Sequence, residues 1–249
     1  PQRKYIFQMI SVRTKLYFSM ENLILQQFFV FTFSERHDKM CSYLYFSFLR
    51  GQTMDSNFFA LISRMRYIAR WGLMRNALPE NIQEHSHMVA VLAHALGVIR
   101  RDIFHQPCDV NALATAALYH DASEILTGDL PTPIKYHNAE IMSAYHAVED
   151  LAVQKLLGML PPELRETYAD VLAEDKDGDI YPLVKAADKL SAYIKCIEER
   201  KAGNNEFLSA EAQTRAALEA SPLPEVQYFL EHFIPAFERD LDELGAIGQ

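Results

Sequence analysis

The sequence predicts an all-α protein, and three observations carry that reading. From Met54 onward apolar residues recur at helical spacing in segment after segment. Between these segments stand loop strings such as "LPPE", "EDKDGD", "AGNN" and "SPLP". No run of strand length alternates apolar with polar residues, and no repeat or low-complexity tract is visible.

The elements follow in order. "SNFFALISRMRYIARW" sets Phe58, Leu61, Ile62, Met65 and Ile68 on one helical face, with Gly72 as the expected stop. After the polar loop "RNALPEN" a helix is expected over about Ile82 to Arg101. A third follows Asn111 and is expected to run to Gly128. Later helices are expected over 138–159, 162–173, 180–202, 206–220 and 224–243.

Composition limits what such a bundle can do. With 49% hydrophobic and 23% charged residues, the chain can bury a real core. A net charge of -9 argues against a nucleic-acid polymer or an anionic membrane as partner, because phosphate surfaces attract basic faces. Cys41, Cys108 and Cys196 lie far apart without CxxC spacing, which suggests neither a disulfide framework nor a zinc knuckle and fits a reducing cytoplasm.

The charge is unevenly spread. Residues 1–52 carry +4 and the remainder -13. That first segment holds twelve aromatic residues without a clean helical or strand period. Its longest uncharged run, "NLILQQFFVFTFS", falls short of the roughly 18 apolar residues a membrane span needs. Residues 1–52 therefore read as an upstream extension or misassigned start. The domain is expected over 53–249, with Met54 as its start and Asp55 and Ser56 as capping residues.

Helical geometry sorts the histidines. Val89, Leu92, Leu96 and Ile99 all fall within about 40° of His85 on a helical wheel, so His85 points inward. His87 and His94 lie on the opposite face and make no chelating pair with it. His105, His137, His146 and His232 show no acidic or histidine neighbour at a ligand spacing and read as ordinary histidines. "ALYHDASEILTGDLPTP" is different, since it sets His120, Asp121 and Glu124 on an alanine-rich helix where ionisable groups are costly to bury unpaired. His120 and Glu124 face the same way, one turn apart, with Asp121 about 100° round the axis. A metal or acid/base site and a structural polar network both account for this pattern.

An isolated His85, then the pair His120 and Asp121, then Asp188 in "LVKAADKLSAYIKC" resembles the HD-domain metal-dependent phosphohydrolases. The strings "ARWGLMRN", "NIQEHS", "YHDASEILTGDLPTP", "VKAADKLSAYIKC" and "AGNNEF" narrow the resemblance to their bacterial 5'-deoxynucleotidase branch, over residues 54 to 243. On periodicity alone Asp188 is a surface aspartate, sharing a face with Lys185, Lys195 and Glu199. The resemblance implies instead that His85, His120, Asp121 and Asp188 hold one divalent ion. Two imidazoles and two carboxylates suit cobalt or manganese, with zinc or iron as alternatives, better than magnesium.

The resemblance further implies an all-α HD-domain bundle that hydrolyses deoxyribonucleoside 5'-monophosphates as a cytoplasmic homodimer. Glu124 would position water or pass a proton, Arg70 would offset phosphate charge, and Trp71 would act in catalysis by packing beside the phosphate and holding it in line. The larger basic patch that a nucleoside triphosphate would call for is absent, with Lys135 the other cation in view beside Arg70. Asp121 and Asp188 would also face the substrate. Asp129, Leu130, Pro131 and Thr132 would contact the sugar, held stiff by the prolines against a 2'-hydroxyl. Two alternatives stay open: another HD-type nucleotide phosphohydrolase, and a non-catalytic nucleotide-sensing module.

Overall fold

A computed structural model describes residues 55–135, 137–173 and 178–245. The extension over residues 1–52 lies outside them. The elements are α1 (Phe58–Ile62), a 3-10 turn (Ser63–Tyr67), α2 (Ile82–Val98) with a π turn (Ile99–Ile103), and α3 (Val110–Tyr119). Next come α4 (Glu124–Thr127), α5 (Thr132–Lys135), α6 (Ala139–Gly158), α7 (Pro162–Leu172) and α8 (Tyr181–Lys201). A 3-10 turn (Asn205–Phe207), α9 (Leu208–Glu219), α10 (Pro224–His232) and a last 3-10 turn (Ile234–Glu238) complete the order. Among the described residues the only β pairing is an isolated antiparallel bridge between Ala69 and Asn81.

Asn57, and neither Asp55 nor Ser56, is the N-cap of α1, and its side chain makes no cap bond, but three later helix starts are capped. The side chains of Asn81, Asp109 and Asn138 accept backbone N–H groups at the first turns of α2, α3 and α6, satisfying donors that have no partner within the helix. The main core joins α2, α3 and α8 through Val89, Leu96, Leu113, Leu183, Leu190 and Ile197, all fully buried, and α9 and α10 close it with Leu218 and Val226. A smaller cluster of Phe58, Ala122, Leu156, Leu160 and Leu172 ties α1, α6 and α7 beneath the turn that follows α3. Gly97 lies where α2 packs on α3, and an added Cβ there would meet a side-chain carbon of Leu113 at 3.0 Å.

Three boundaries differ from expectation. The first helix does not run to Gly72: it tightens after Ile62 and ends in extended backbone at Ile68, ahead of a left-handed Trp71 at φ 59°. The third helix does not run unbroken to Gly128. It ends at Tyr119, and bonds from Ala122 N–H to the Tyr119 carbonyl and from Glu124 N–H to the Asp121 carbonyl carry the chain through a tighter turn into α4. The last helix stops at His232 instead of continuing to 243. Pro235, at the second position of the final turn, cannot donate an N–H, and its ring would crowd the carbonyl of Glu231 in a continuous helix.

Candidate functional site

The site gathers where the break after α3 faces α2 and α8. His85, one turn into α2, is fully buried, and its Nδ1 lies 3.2 Å from Ser191 Oγ on α8. His120 Nδ1 lies 2.8 Å from the Ala117 carbonyl. A carbonyl can only accept, so Nδ1 carries the proton of a neutral His120 and Nε2 keeps a free lone pair. The two Nε2 atoms converge on Asp121 Oδ2, at 3.6 Å from His85 and 3.1 Å from His120. Both are buried, and neither has a hydrogen-bond partner. The ligand atoms of His85, His120 and Asp121 all lie within 4.8 Å of one another.

Buried nitrogens without partners are costly, and two of them aimed at one carboxylate form the donor set a divalent cation would satisfy. The tightened turn lets neighbours in sequence share the site, because α3 ends at Tyr119 and three-residue backbone bonds take over from there. Burial opposes ionisation of Asp121, but His120, His85 and Arg70 outweigh it and hold the carboxyl well below the ordinary carboxylate range.

Asp188 corrects the surface reading of its helix. Its Oδ1 lies 3.0 Å from His85 Nε2, outside the group of three but against it, with 35% of the side chain exposed. Burial would raise its pKa, but His85 and His120 lower it further. The charged stripe of α8 turns inward: Lys195 and Glu199 are buried at 4% and 0% exposure. Glu199 accepts Ala77 N–H at 2.8 Å, Leu78 N–H at 3.0 Å and the Asn204 amide at 2.8 Å, and it pairs with Lys195. Lys195 also donates to the Leu78 carbonyl. Burial works against the charged carboxylate, yet these donors hold the Glu199 pKa at about 2.

Glu124 opens α4 at 6% exposure, with Oε2 buried and without a partner. Burial, then the charges of Asp121 and Asp129, push its carboxyl up to about 9. Arg70 places Nη1 3.3 Å from Asp121 Oδ2 and Nε 3.1 Å from Glu80 Oε2. Trp71 rests against Phe207 at 5.2 Å between ring centroids, and its backbone N–H donates to Asp129 Oδ2 at 3.2 Å. Leu130, Pro131 and Thr132 lead into α5, closed by Ile134 N–H and Lys135 N–H on the Pro131 carbonyl. Among the described residues their side chains make no hydrogen bond into the cluster.

Lys135 pairs with Glu149 at 2.9 Å over the Tyr145 ring. His146 is not the isolated histidine its spacing suggested, because Nδ1 lies 2.8 Å from Glu149, three residues on. His87 and His94 are exposed, as the wheel predicts. Sequence reasoning missed Glu80, whose Oε2 meets both Arg70 and the Trp71 indole N–H. Its only signal was its place beside Asn81 at the start of α2.

A family model described as 5'-deoxynucleotidase YfbR-like matches residues 57–237. The 5'-deoxynucleotidase YfbR of Shigella boydii is 50% identical over 192 residues, 77% of this chain and 96% of that protein. The Escherichia coli 5'-deoxynucleotidase YfbR matches with the same identity and coverage. Among solved structures, an HD-domain phosphohydrolase from Listeria innocua superposes with a TM-score of 0.66 at 25% identity, over 74% of this chain and 90% of that one. A Pyrococcus horikoshii protein shares the fold at TM-score 0.56 and 21% identity, covering 74% of this chain and 98% of that one. With a family model matched over residues 57–237 and 50% identity to these relatives over 77% of its length, the chain belongs to the YfbR-like 5'-deoxynucleotidase family of HD-domain phosphohydrolases.

Proposed function

We propose that this chain releases phosphate from deoxyribonucleoside 5'-monophosphates, using one divalent cation bound by His85, His120, Asp121 and Asp188. The hydrolase class follows from the family, whose named relatives are 5'-deoxynucleotidases. The observation that carries the site is the convergence of two unpartnered Nε2 atoms on Asp121. When bound, the ion supplies an activated water and draws charge from the phosphoryl oxygens. Two imidazoles and two carboxylates favour cobalt or manganese, then zinc or iron.

The protein's own groups do the rest. Glu124, kept protonated by its surroundings, holds a proton that can pass to the departing 5' oxygen. Arg70 carries five N–H donors, of which Glu80 and Asp121 engage two nitrogens, so donors remain for a phosphate oxygen. Trp71 flanks that phosphate. Asp129, already fixed to the Trp71 backbone, meets the sugar with Leu130, Pro131 and Thr132.

Phosphate release from matched ribo- and deoxyribonucleoside monophosphates, with each of several divalent metals, tests this reading. Turnover should favour the deoxy substrate, and Asp129→Ala should raise KM and narrow the gap between the two sugars. No turnover with any metal would instead support the sensing module.

The free thiols of Cys108 and Cys196 support a reducing cytoplasm, and the resemblance supports a homodimer. No helix of the described residues is long and apolar enough to cross a membrane. Residues 53–249 are taken as the phosphohydrolase domain, so the chain shortened to begin at Met54 should keep its solubility and rate. Loss of either would make the upstream segment part of the domain.

A further inference from the structure

Glu80 sits at a point where backbone pairing and side-chain chemistry coincide. Arg70 N–H donates to the Glu80 carbonyl at 3.0 Å and Ile82 N–H to the Ile68 carbonyl at 3.0 Å, so the loop between them is closed at its base by the Ala69–Asn81 bridge. This pairing sets the Glu80 side chain beside Arg70. Its Oε2 accepts from Arg70 Nε at 3.1 Å and from the Trp71 indole Nε1 at 3.0 Å. One oxygen therefore sets the relative placement of two adjacent residues. The Arg70 and Glu80 side chains are only 13% and 15% exposed, where charge-assisted hydrogen bonds are strong and little screened.

Trp71 needs that restraint. Its φ of 59° is a left-handed conformation that bulky residues rarely adopt and that persists only where the surroundings over-determine it. Asp129 holds its backbone N–H, Met74 N–H donates to its carbonyl at 2.9 Å, and Phe207 backs its ring. Among the described residues Glu80 alone grips the indole N–H. Arg70 already has a counter-charge in Asp121, so neutralisation by itself would not require Glu80.

We infer that Glu80 is a positioning residue for phosphomonoester binding: its Oε2 locks the Arg70 guanidinium and the Trp71 indole into one rigid recognition edge. The inference rests on the assignment of Arg70 and Trp71 to the phosphate.

The test uses the full chain, metal-loaded, with Glu80→Ala and Glu80→Gln. Trp71 is the only tryptophan of the protein, so its emission and anisotropy report this contact directly. Glu80→Ala should lower Trp71 anisotropy and raise KM for a deoxynucleoside 5'-monophosphate by roughly 10-fold, with kcat changed far less and metal content unchanged. Glu80→Gln keeps an acceptor oxygen at the same reach and should restore the anisotropy and most of the KM. Unchanged anisotropy and KM in Glu80→Ala would overturn the inference, as would a glutamine variant as impaired as the alanine one. If Glu80→Ala does not fold, the glutamine variant decides alone: wild-type anisotropy with a near wild-type KM supports the lock, and loss of either refutes it. A wild type without phosphatase activity would sink the assignment of Arg70 and Trp71, and the substrate-free anisotropies would still decide whether Glu80 holds the indole.

Discussion

Alanine at His85, His120 or Asp121 should remove bound metal and turnover together, the rate falling by about 10³-fold or more when a catalytic ion is lost. Each imidazole supplies one of three ligand atoms that lie within 4.8 Å of one another, so losing either leaves the set a donor short. Asp121→Ala should do further damage, because the same oxygen faces His85, His120 and Arg70 and its loss leaves three potential cations facing one another. Metal per chain after gel filtration, read beside phosphate release, checks both halves. Asp188→Ala belongs in the same series. Retention of metal and rate in that variant would reduce the ligand set to three and return Asp188 to the periphery of the site.

Glu124→Gln should separate catalysis from stability. The rate should fall by ~10²- to 10⁴-fold, the usual contribution of a positioned acid or base, while metal and substrate affinity hold. Stability should move the other way. A carboxyl held at about 9 in the fold against 4.5 in ordinary surroundings contributes no penalty below pH 4.5, and it destabilises the fold increasingly as pH rises from there toward 9. At pH 7 the penalty is on the order of 3 kcal/mol, and glutamine, which does not titrate, escapes it. In protein freed of metal by chelation, the variant should melt above the wild type by a margin that widens from pH 5 to pH 8. Equal turnover would remove Glu124 from the mechanism, and a margin independent of pH would show that its proton is not held by the fold.

Much of this was legible in the residues. The inward face of His85 and the bounds of α6, α7 and α8 followed from apolar spacing and the loop strings between helices. Asp188 was not legible that way. A wheel averages a face along the whole helix, and α8 is buried on nearly every side, so its inward charges satisfied one another and looked like solvated ones. The break after Tyr119 was hidden too, because "HDASEILT" contains no glycine or proline to announce a tighter turn. Glu80 escaped because its importance lies in pairing across a bridge that only the folded loop creates.

Asp188 and Glu199 stand eleven residues apart on α8, about 16 Å along a single rod and on nearly the same side of it. One meets His85 and the other clasps the backbone of Ala77 and Leu78, in the loop that follows Trp71. The rod is also the centre of the main core. Chemistry and thermal endurance are thus borne by one indivisible part, with no pliable hinge between them. Heating should extinguish activity at the same temperature at which helicity collapses, without an earlier phase of inactive but folded enzyme. Selection on either trait would drag the other with it.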